Sequence, residues 1–274
     1  MLPSLREVVK HYGLMANKAL GQNFLLDSNI TDKIVRLSLS AQNIADFSNY
    51  NMVEIGPGPG GLTRSTLTAN PKSLGVIEMD TRCLQIMQDI KQECSCPMEI
   101  INGDALKFDI PTNFAAPRQI ISNLPYNISV PLLIKWLMQI KEYSALTLMF
   151  QKEVAERIIA PTCCKDYGRI SVLAQLTCKI QKLMDLNPEC FTPAPKIWST
   201  VLLFTPLTNA IYPQEINAIE KITTLAFGQR RKMLRQSLKS INNISEKLEQ
   251  VGIKETSRAE EVTPAQFLAL SKLI

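Results

Sequence analysis

Between residues 51 and 150, short apolar runs alternate with segments of helical period, and the runs end in polar or glycine-bearing turns. Met52–Ile55 leads into a Gly-rich turn and a helix near 60–69. Leu74–Glu78 leads into a helix through Cys83, Ile86, Met87 and Ile90. Met98–Ile101 ends at Asn102-Gly103-Asp104. Ile120–Ser122 ends at Asn123-Leu124-Pro125-Tyr126, before a helix near 130–140, and Ser144–Phe150 is a fifth run. Strands alternating with helices predict a parallel sheet with helices on both faces, an α/β architecture. Ligands of such sheets bind outside the C-terminal ends of the strands, so the turns are where chemistry is expected. Two later strand candidates, near 169–184 and at Thr200–Phe204, lack an intervening helix long enough for a crossover. Part of the sheet is therefore expected to be antiparallel. Beyond Pro206 the pattern is helical to the end, with Ile216, Ile219 and Ile222, then Leu234, Leu238 and Ile241. The expected division is a catalytic domain over 1–206 and a small all-helical domain over 207–274.

The turns carry distinct chemistry. Gly56-Pro57-Gly58-Pro59-Gly60-Gly61 lets backbone approach a ligand and opens a helix whose N-terminal N–H groups are free. Gly56, Gly58 and Gly61 satisfy the dinucleotide fingerprint, and an acid, Glu78, follows 22 positions after Gly56. Glycines and acid together fit either NAD or S-adenosylmethionine, whose ribose hydroxyls a carboxylate would accept in both cases. Asp104, at the third strand end, suits the exocyclic amine of an adenine and tips the choice to adenosine held across three strand ends. It would also serve as a helix N-cap. In Asn123-Leu124-Pro125-Tyr126 the proline stops the strand and fixes a turn. An amide oxygen and turn carbonyls there can accept hydrogen bonds from one exocyclic amine, and the Tyr126 ring can stack on its base. Phe191, on the Pro-stiffened Phe191–Lys196 loop, is either a core residue or the second face of a base sandwich.

Composition narrows the class. The 274 residues include seven Cys without a CxxC pair and a single His, His11. A zinc site, a disulfide framework and a His-dependent catalytic triad are therefore not expected. Reduced thiols fit a cytoplasmic protein. No apolar run approaches a membrane span or a signal-peptide core, and residues 1–21 lack the Ser/Arg richness of an organelle presequence, although Arg6, Lys10 and Lys18 are basic. Net charge is +5, and residues 207–274 hold 10 Lys/Arg against 7 Asp/Glu. Within them Arg230, Arg231, Lys232, Arg235 and Lys239 lie in an acid-free window between Glu220 and Glu246. Arg231, Arg235 and Lys239 are spaced i, i+4, i+8, one stripe of a helix that would face RNA phosphates.

In order, LGQNFL, VEIGPGPGGLT, VIEMD, NGDAL, NLPYNIS, FTPAPK and QRRKMLRQSL strongly resemble the ribosomal RNA adenine N6,N6-dimethyltransferase family, over about Asn17 to Leu238. The likeness is to its bacterial small-subunit branch. It implies a Rossmann-like, S-adenosyl-L-methionine-dependent methyltransferase sheet. It implies cofactor contacts at Asn23, Leu25, Gly56, Glu78, Asp104 and Asn123, with Gln22 beside them, and base contacts at Asn123, Leu124, Pro125, Tyr126 and Phe191. The substrate implied is a pair of adjacent adenosines, each methylated twice, in the 3′-terminal hairpin loop of 16S rRNA within the small ribosomal subunit. The reaction requires no metal or membrane. The macrolide-resistance enzymes, which act on 23S rRNA, usually carry Ile where this chain has Leu124. A non-catalytic RNA-binding assembly or transcription factor on the same fold is the other alternative, and the intact Asn123–Tyr126, Glu78 and Asp104 weigh against it.

Overall fold

The structure is a computed structural model that describes residues 2–14, 22–211 and 213–274. Leu20 and Gly21 of the LGQNFL motif, and Lys18, lie outside the described residues. In chain order the elements are α1 (Leu5–His11), β1 (Phe24–Leu25), α2 (Ser28–Gln42), β2 (Asn51–Ile55), α3 (Gly61–Thr68), β3 (Ser73–Glu78), α4 (Thr81–Glu93), β4 (Met98–Asn102), α5 (Ile110–Asn113), β5 (Arg118–Asn123), α6 (Ser129–Met138), β6 (Ala145–Gln151), α7 (Lys152–Ile159), α8 (Arg169–Thr177), β7 (Cys178–Leu186), β8 (Phe191–Thr192), β9 (Ser199–Pro206), α9 (Pro213–Gly228), α10 (Leu234–Ser237), α11 (Ile244–Gln250) and α12 (Pro264–Ser271).

The main sheet has seven strands in the order β4-β3-β2-β5-β6-β9-β7. The pairs from β4 through β6 are parallel, and β9 runs antiparallel to β6. The five residues of β2 are all buried, as a central strand covered on both faces requires. Strand order reverses between β2 and β5, the switch point at which such sheets open a crevice. Two acids start the flanking helices: Asp27 caps α2 through Asn29 N, and Asp80 caps α4 through Arg82 N. A second, two-stranded sheet pairs β1 antiparallel with β8, setting Phe24 against Thr192 and Leu25 against Phe191.

The chain forms two compact units. The first, 1–135, 141–152 and 181–205, holds the parallel strands and the crevice. The second gathers 136–140, 153–180 and 206–274, so it takes in segments that a boundary at 206–207 assigns to the first domain. Its core is built by α9, which packs against α8 and α12. The Phe227 ring stands between those of Tyr167 and Phe267, at 5.9 and 5.7 Å.

Two expectations from periodicity are corrected. Residues 169–184 are not one strand: 169–177 form α8 and only 178–186 are extended. Ser171 decides the start of the helix, since its Oγ accepts from Gly168 N and donates to the Arg157 carbonyl. The run Ile170–Ala174 is buried and carries no period that separates helix from strand. The basic segment is likewise not one helix. α9 ends at Gly228, Lys232 N closes a turn on Gln229 O, and Leu234 N and Arg235 N are taken by Ser257 O and Glu255 O. Only the four residues of α10 are helical, so Arg231, Arg235 and Lys239 do not form a helical stripe.

Candidate active site

A cleft open to solvent lies in the first unit where β2, β3, β4 and β5 end. It is lined by Gln22, Asn23 and Leu25 from the N-terminal side, the turn from Gly56 to Gly61, Glu78 and Met79, Gly103 to Ala105, and Asn123 to Ile128. Every residue expected to touch the cofactor lines this one cleft, together with Leu124, Pro125 and Tyr126.

The glycine turn is shaped by its neighbours. Gly56 and Gly58 have φ of +64° and +55°, where an L side chain is strained. A Cβ on Gly58 would stand 3.0 Å from the Phe24 ring. Gly58 N donates to Glu78 Oε2 at 3.2 Å and Asp80 N to Oε1 at 2.8 Å, so both carboxylate oxygens are oriented by backbone. Burial raises the Glu78 pKa above the usual carboxylate range, and these hydrogen bonds oppose it. Asp80 is different: the Arg82 guanidinium holds it down at about 2, helped by Gln22 Nε2 at 2.8 Å.

Asp104 caps no helix, contrary to the local role foreseen for it: 105–107 form a turn, which its Oδ1 closes by accepting from Leu106 N at 2.9 Å, while it also faces the cleft. The loop that follows is clasped by Lys135, whose ammonium donates to the carbonyls of Ala105, Leu106 and Phe108 at 3.0, 2.9 and 2.6 Å.

At the β5 end the amide of Asn123 is oriented. Its Nδ2 donates to Asn23 O at 3.1 Å, which turns Oδ1 the other way. The Pro125 carbonyl accepts from Ile128 N at 3.1 Å, and Ser122 Oγ ties β5 to β2 through Ile55 O at 2.6 Å. Tyr126 is half-buried, with its hydroxyl 2.7 Å from Ser199 Oγ. Phe191 does not line the cleft: at 3 % exposed it packs in the core with Phe24 and Leu25. The β1–β8 pairing that brings the FTPAPK loop to the N-terminal segment also seals its ring.

Sequence reasoning missed three positions. Glu54 is 1 % exposed, lines the cleft, and accepts from Thr63 Oγ1 at 2.7 Å; burial pushes its pKa up to about 8. An acid inside the apolar run Met52–Ile55 was the available signal. Ser199 and Lys135 left none, because their partners are distant in the chain. Among the described residues no three His, Cys, Asp or Glu cluster as metal ligands do, and no helix is long and apolar enough to cross a membrane.

The basic residues lie in the second unit, and two of them serve the protein itself. Arg230 donates to the carbonyls of Lys165 and Tyr167 at 2.8 and 2.7 Å and stands 3.6 Å from Glu260. Arg235 pairs with Glu255 at 3.1 Å. Arg231, Lys232 and Lys239 are exposed, with no ion pair among the described residues.

A profile of the ribosomal RNA adenine dimethylase family matches residues 13–274. The ribosomal RNA small subunit methyltransferase A of Rhodospirillum rubrum is 42 % identical, with 100 % of this chain and 93 % of that protein covered. That of Ruegeria pomeroyi is 44 % identical, over 99 % and 96 %. Two solved structures share the fold. A dimethyladenosine transferase from Plasmodium falciparum has a TM-score of 0.74 at 24 % identity, covering 89 % of this chain and 94 % of that one. The 23S rRNA methyltransferase ErmE has 0.67 at 21 %, covering 91 % and 98 %.

Proposed function

The chain belongs to the ribosomal RNA adenine dimethylase family and is a methyltransferase, and from that premise we propose its substrate, cofactor and residue roles. It transfers methyl groups from S-adenosylmethionine to N6 of two adjacent adenosines in the 3′-terminal hairpin loop of 16S rRNA, twice at each, within the small ribosomal subunit in the cytoplasm. The full-length likeness to small-subunit methyltransferases supports that choice of RNA. One observation carries the residue roles: Glu78, Asp104 and Asn123 stand at three strand ends around one cleft, with Asn123 turned to present an acceptor.

The cleft fits the cofactor by its donor set. Glu78 has both oxygens aimed by backbone N–H groups and lone pairs left for ribose hydroxyls. Asp104 Oδ2 is left for an adenine amine once Oδ1 has capped its turn. The turn at Gly56 and Gly58 allows close backbone approach, and Gln22, Asn23 and Leu25 line the N-terminal side. When bound, S-adenosylmethionine supplies a methyl group on a positively charged sulfur.

The rest is done by this chain. Adenine N6 is a weak nucleophile because its lone pair is delocalised into the ring. Asn123 Oδ1 and a turn carbonyl accept its two N–H bonds and favour a pyramidal nitrogen with its lone pair free. The Leu124 carbonyl is the better second acceptor, since that of Pro125 already receives Ile128 N–H. Tyr126 stacks on the base, its ring steadied through Ser199. Stacking rests on Tyr126 in this state, with Phe191 in the core. Positioning of the amine does the work, and no general base is required, because the proton is released after transfer.

The test is transfer of labelled methyl to small subunits lacking the modification, with the modified nucleotides mapped. Dimethylated adenosines at two adjacent loop positions are expected. Label in 23S rRNA only, or no transfer, overturns the reading.

A further inference from the structure

Trp198 stands apart in this molecule. The chain has two tryptophans; Trp136 is 1 % exposed, whereas Trp198 is 46 % exposed and follows Ile197, at 38 %. An indole left this open forgoes most of the burial it could have gained. Its surroundings hold it in place. Lys152 N donates to Trp198 O at 2.9 Å, continuing the β6–β9 ladder beyond the pair Gln151–Ser199. The Lys152 ammonium lies over the indole, 5.7 Å from the ring centroid, within the range of a cation–π contact. One side of the ring is thus engaged by a cation, and much of the residue faces solvent.

Its place ties it to the cleft. β6 runs parallel to β5 with Met149 opposite Asn123, so Lys152 lies just past the same sheet edge that carries Asn123 to Tyr126. The residue after Trp198, Ser199, holds the Tyr126 hydroxyl. Nearby charge is mixed. Lys182 is paired with Asp185 at 2.7 Å, and Asp185 also accepts from Thr200 Oγ1 and is near enough to Lys152 to feel its charge, while neither Lys152 nor Lys196 forms a salt bridge of 4 Å or less among the described residues. A half-exposed indole with a lysine ammonium beside it suits a nucleobase and its phosphate.

We propose that Trp198 and Lys152 form a stacking platform for an unpaired nucleotide of the RNA loop that flanks the target adenosine. Trp198 stacks on its base and Lys152 meets its phosphate. The proposal rests on the RNA-methylating reading above and names a second nucleotide subsite beside it. Because every base has a π-face, the platform fixes the loop without reading its sequence.

The test uses the full chain. Trp198 fluorescence is titrated with an RNA hairpin bearing two adjacent adenosines in its loop. KM for undermethylated small subunits is measured for wild type, Trp198→Ala, Trp198→Phe and Lys152→Gln. The expected results are quenching that disappears in Trp198→Ala and a KM raised about ten-fold there, as loss of one stacked base predicts. Trp198→Phe recovers most of the loss, and affinity for S-adenosylhomocysteine stays unchanged in all variants. Wild-type KM in Trp198→Ala, in a preparation whose wild type methylates normally, overturns the platform alone. A loss that Trp198→Phe does not recover, or one accompanied by weaker S-adenosylhomocysteine binding, also overturns it, since either marks a structural role. A wild type that does not methylate the subunits overturns the platform and the reading beneath it together.

Discussion

The acids of the cleft and the cations of residues 229–239 are held by different means. Glu78 ends β3, which is paired on both sides, and Asp104 follows the edge strand β4, whose register β3 fixes; backbone N–H groups meet the oxygens of both. Arg230 and Arg235 sit in a segment with little regular structure, and their guanidiniums are taken up by the carbonyls and carboxylates of their own unit. A sheet edge delivers a charge to a ligand with its direction already set. A connector delivers charge that serves the fold first, and only what is left over can face a partner. Here Arg231, Lys232 and Lys239 are left over.

The largest effect is expected where orientation matters most. Asn123→Ala should lower methyl transfer by about 100- to 1000-fold, as loss of one preorganised polar contact to a reacting group does, with RNA affinity near wild type. Single-turnover transfer to undermethylated subunits measures it, and an unchanged rate would break the claim that the strand end does the chemistry. Next, Glu78→Ala should weaken binding of S-adenosylhomocysteine by about 1–3 kcal/mol in a calorimetric titration, because ribose hydroxyls and two backbone N–H groups lose their acceptor. Unchanged affinity would remove Glu78 from the site.

A third effect is visible only through pH. Glu54 titrates near 8 in the folded protein against an ordinary value of 4.5. The folded state therefore holds a proton that the unfolded state has lost between those values. Stability from this group is complete below pH 4.5, falls by about 1.4 kcal/mol per pH unit across the window, and is flat above 8. Glu54→Gln should flatten that slope in denaturant titrations run from pH 5 to 8; parallel slopes would place the carboxylate charged in the fold.

The smallest effect should come from the leftover cations. Joint replacement of Arg231, Lys232 and Lys239 by Gln should lower the slope of log RNA affinity against log salt by about 2–3 units and leave cofactor affinity alone. An unchanged slope would mean that even these cations are ordinary surface, and would turn attention to residues such as Lys152 and Trp198.

The same contrast explains what was legible in the chain. Each of β2 to β5 announces itself as an apolar run, and the turn after it carries the chemistry, so Gly56, Glu78, Asp104 and Asn123 could be grouped without coordinates. Where a residue's environment is supplied from far along the chain, local pattern fails. Phe191 reads equally as core or as stacking face until Leu25 is seen beside it. The i, i+4, i+8 spacing of Arg231, Arg235 and Lys239 is real in the sequence, but Ser257 and Glu255 bend the backbone out of the helix it implies. Ser199 and Lys135 act through partners 73 and about 30 residues away, beyond the reach of any window.

The hydrogen bond from Asn123 Nδ2 to the Asn23 carbonyl has a consequence for turnover. With one N–H of its NH₂ held there, the amide turns its oxygen rather than its nitrogen away from Asn23, so that on the proposed reading it meets the substrate as an acceptor. On the proposed reading an unmodified amine enters with two hydrogens for two acceptors. After one transfer it has a single hydrogen to share between them. After the second it has none, and the finished base offers nothing to the pair that gripped it. Affinity for the base thus runs down as its hydrogens are replaced, and the reaction ends by dissolving its own hold on the product.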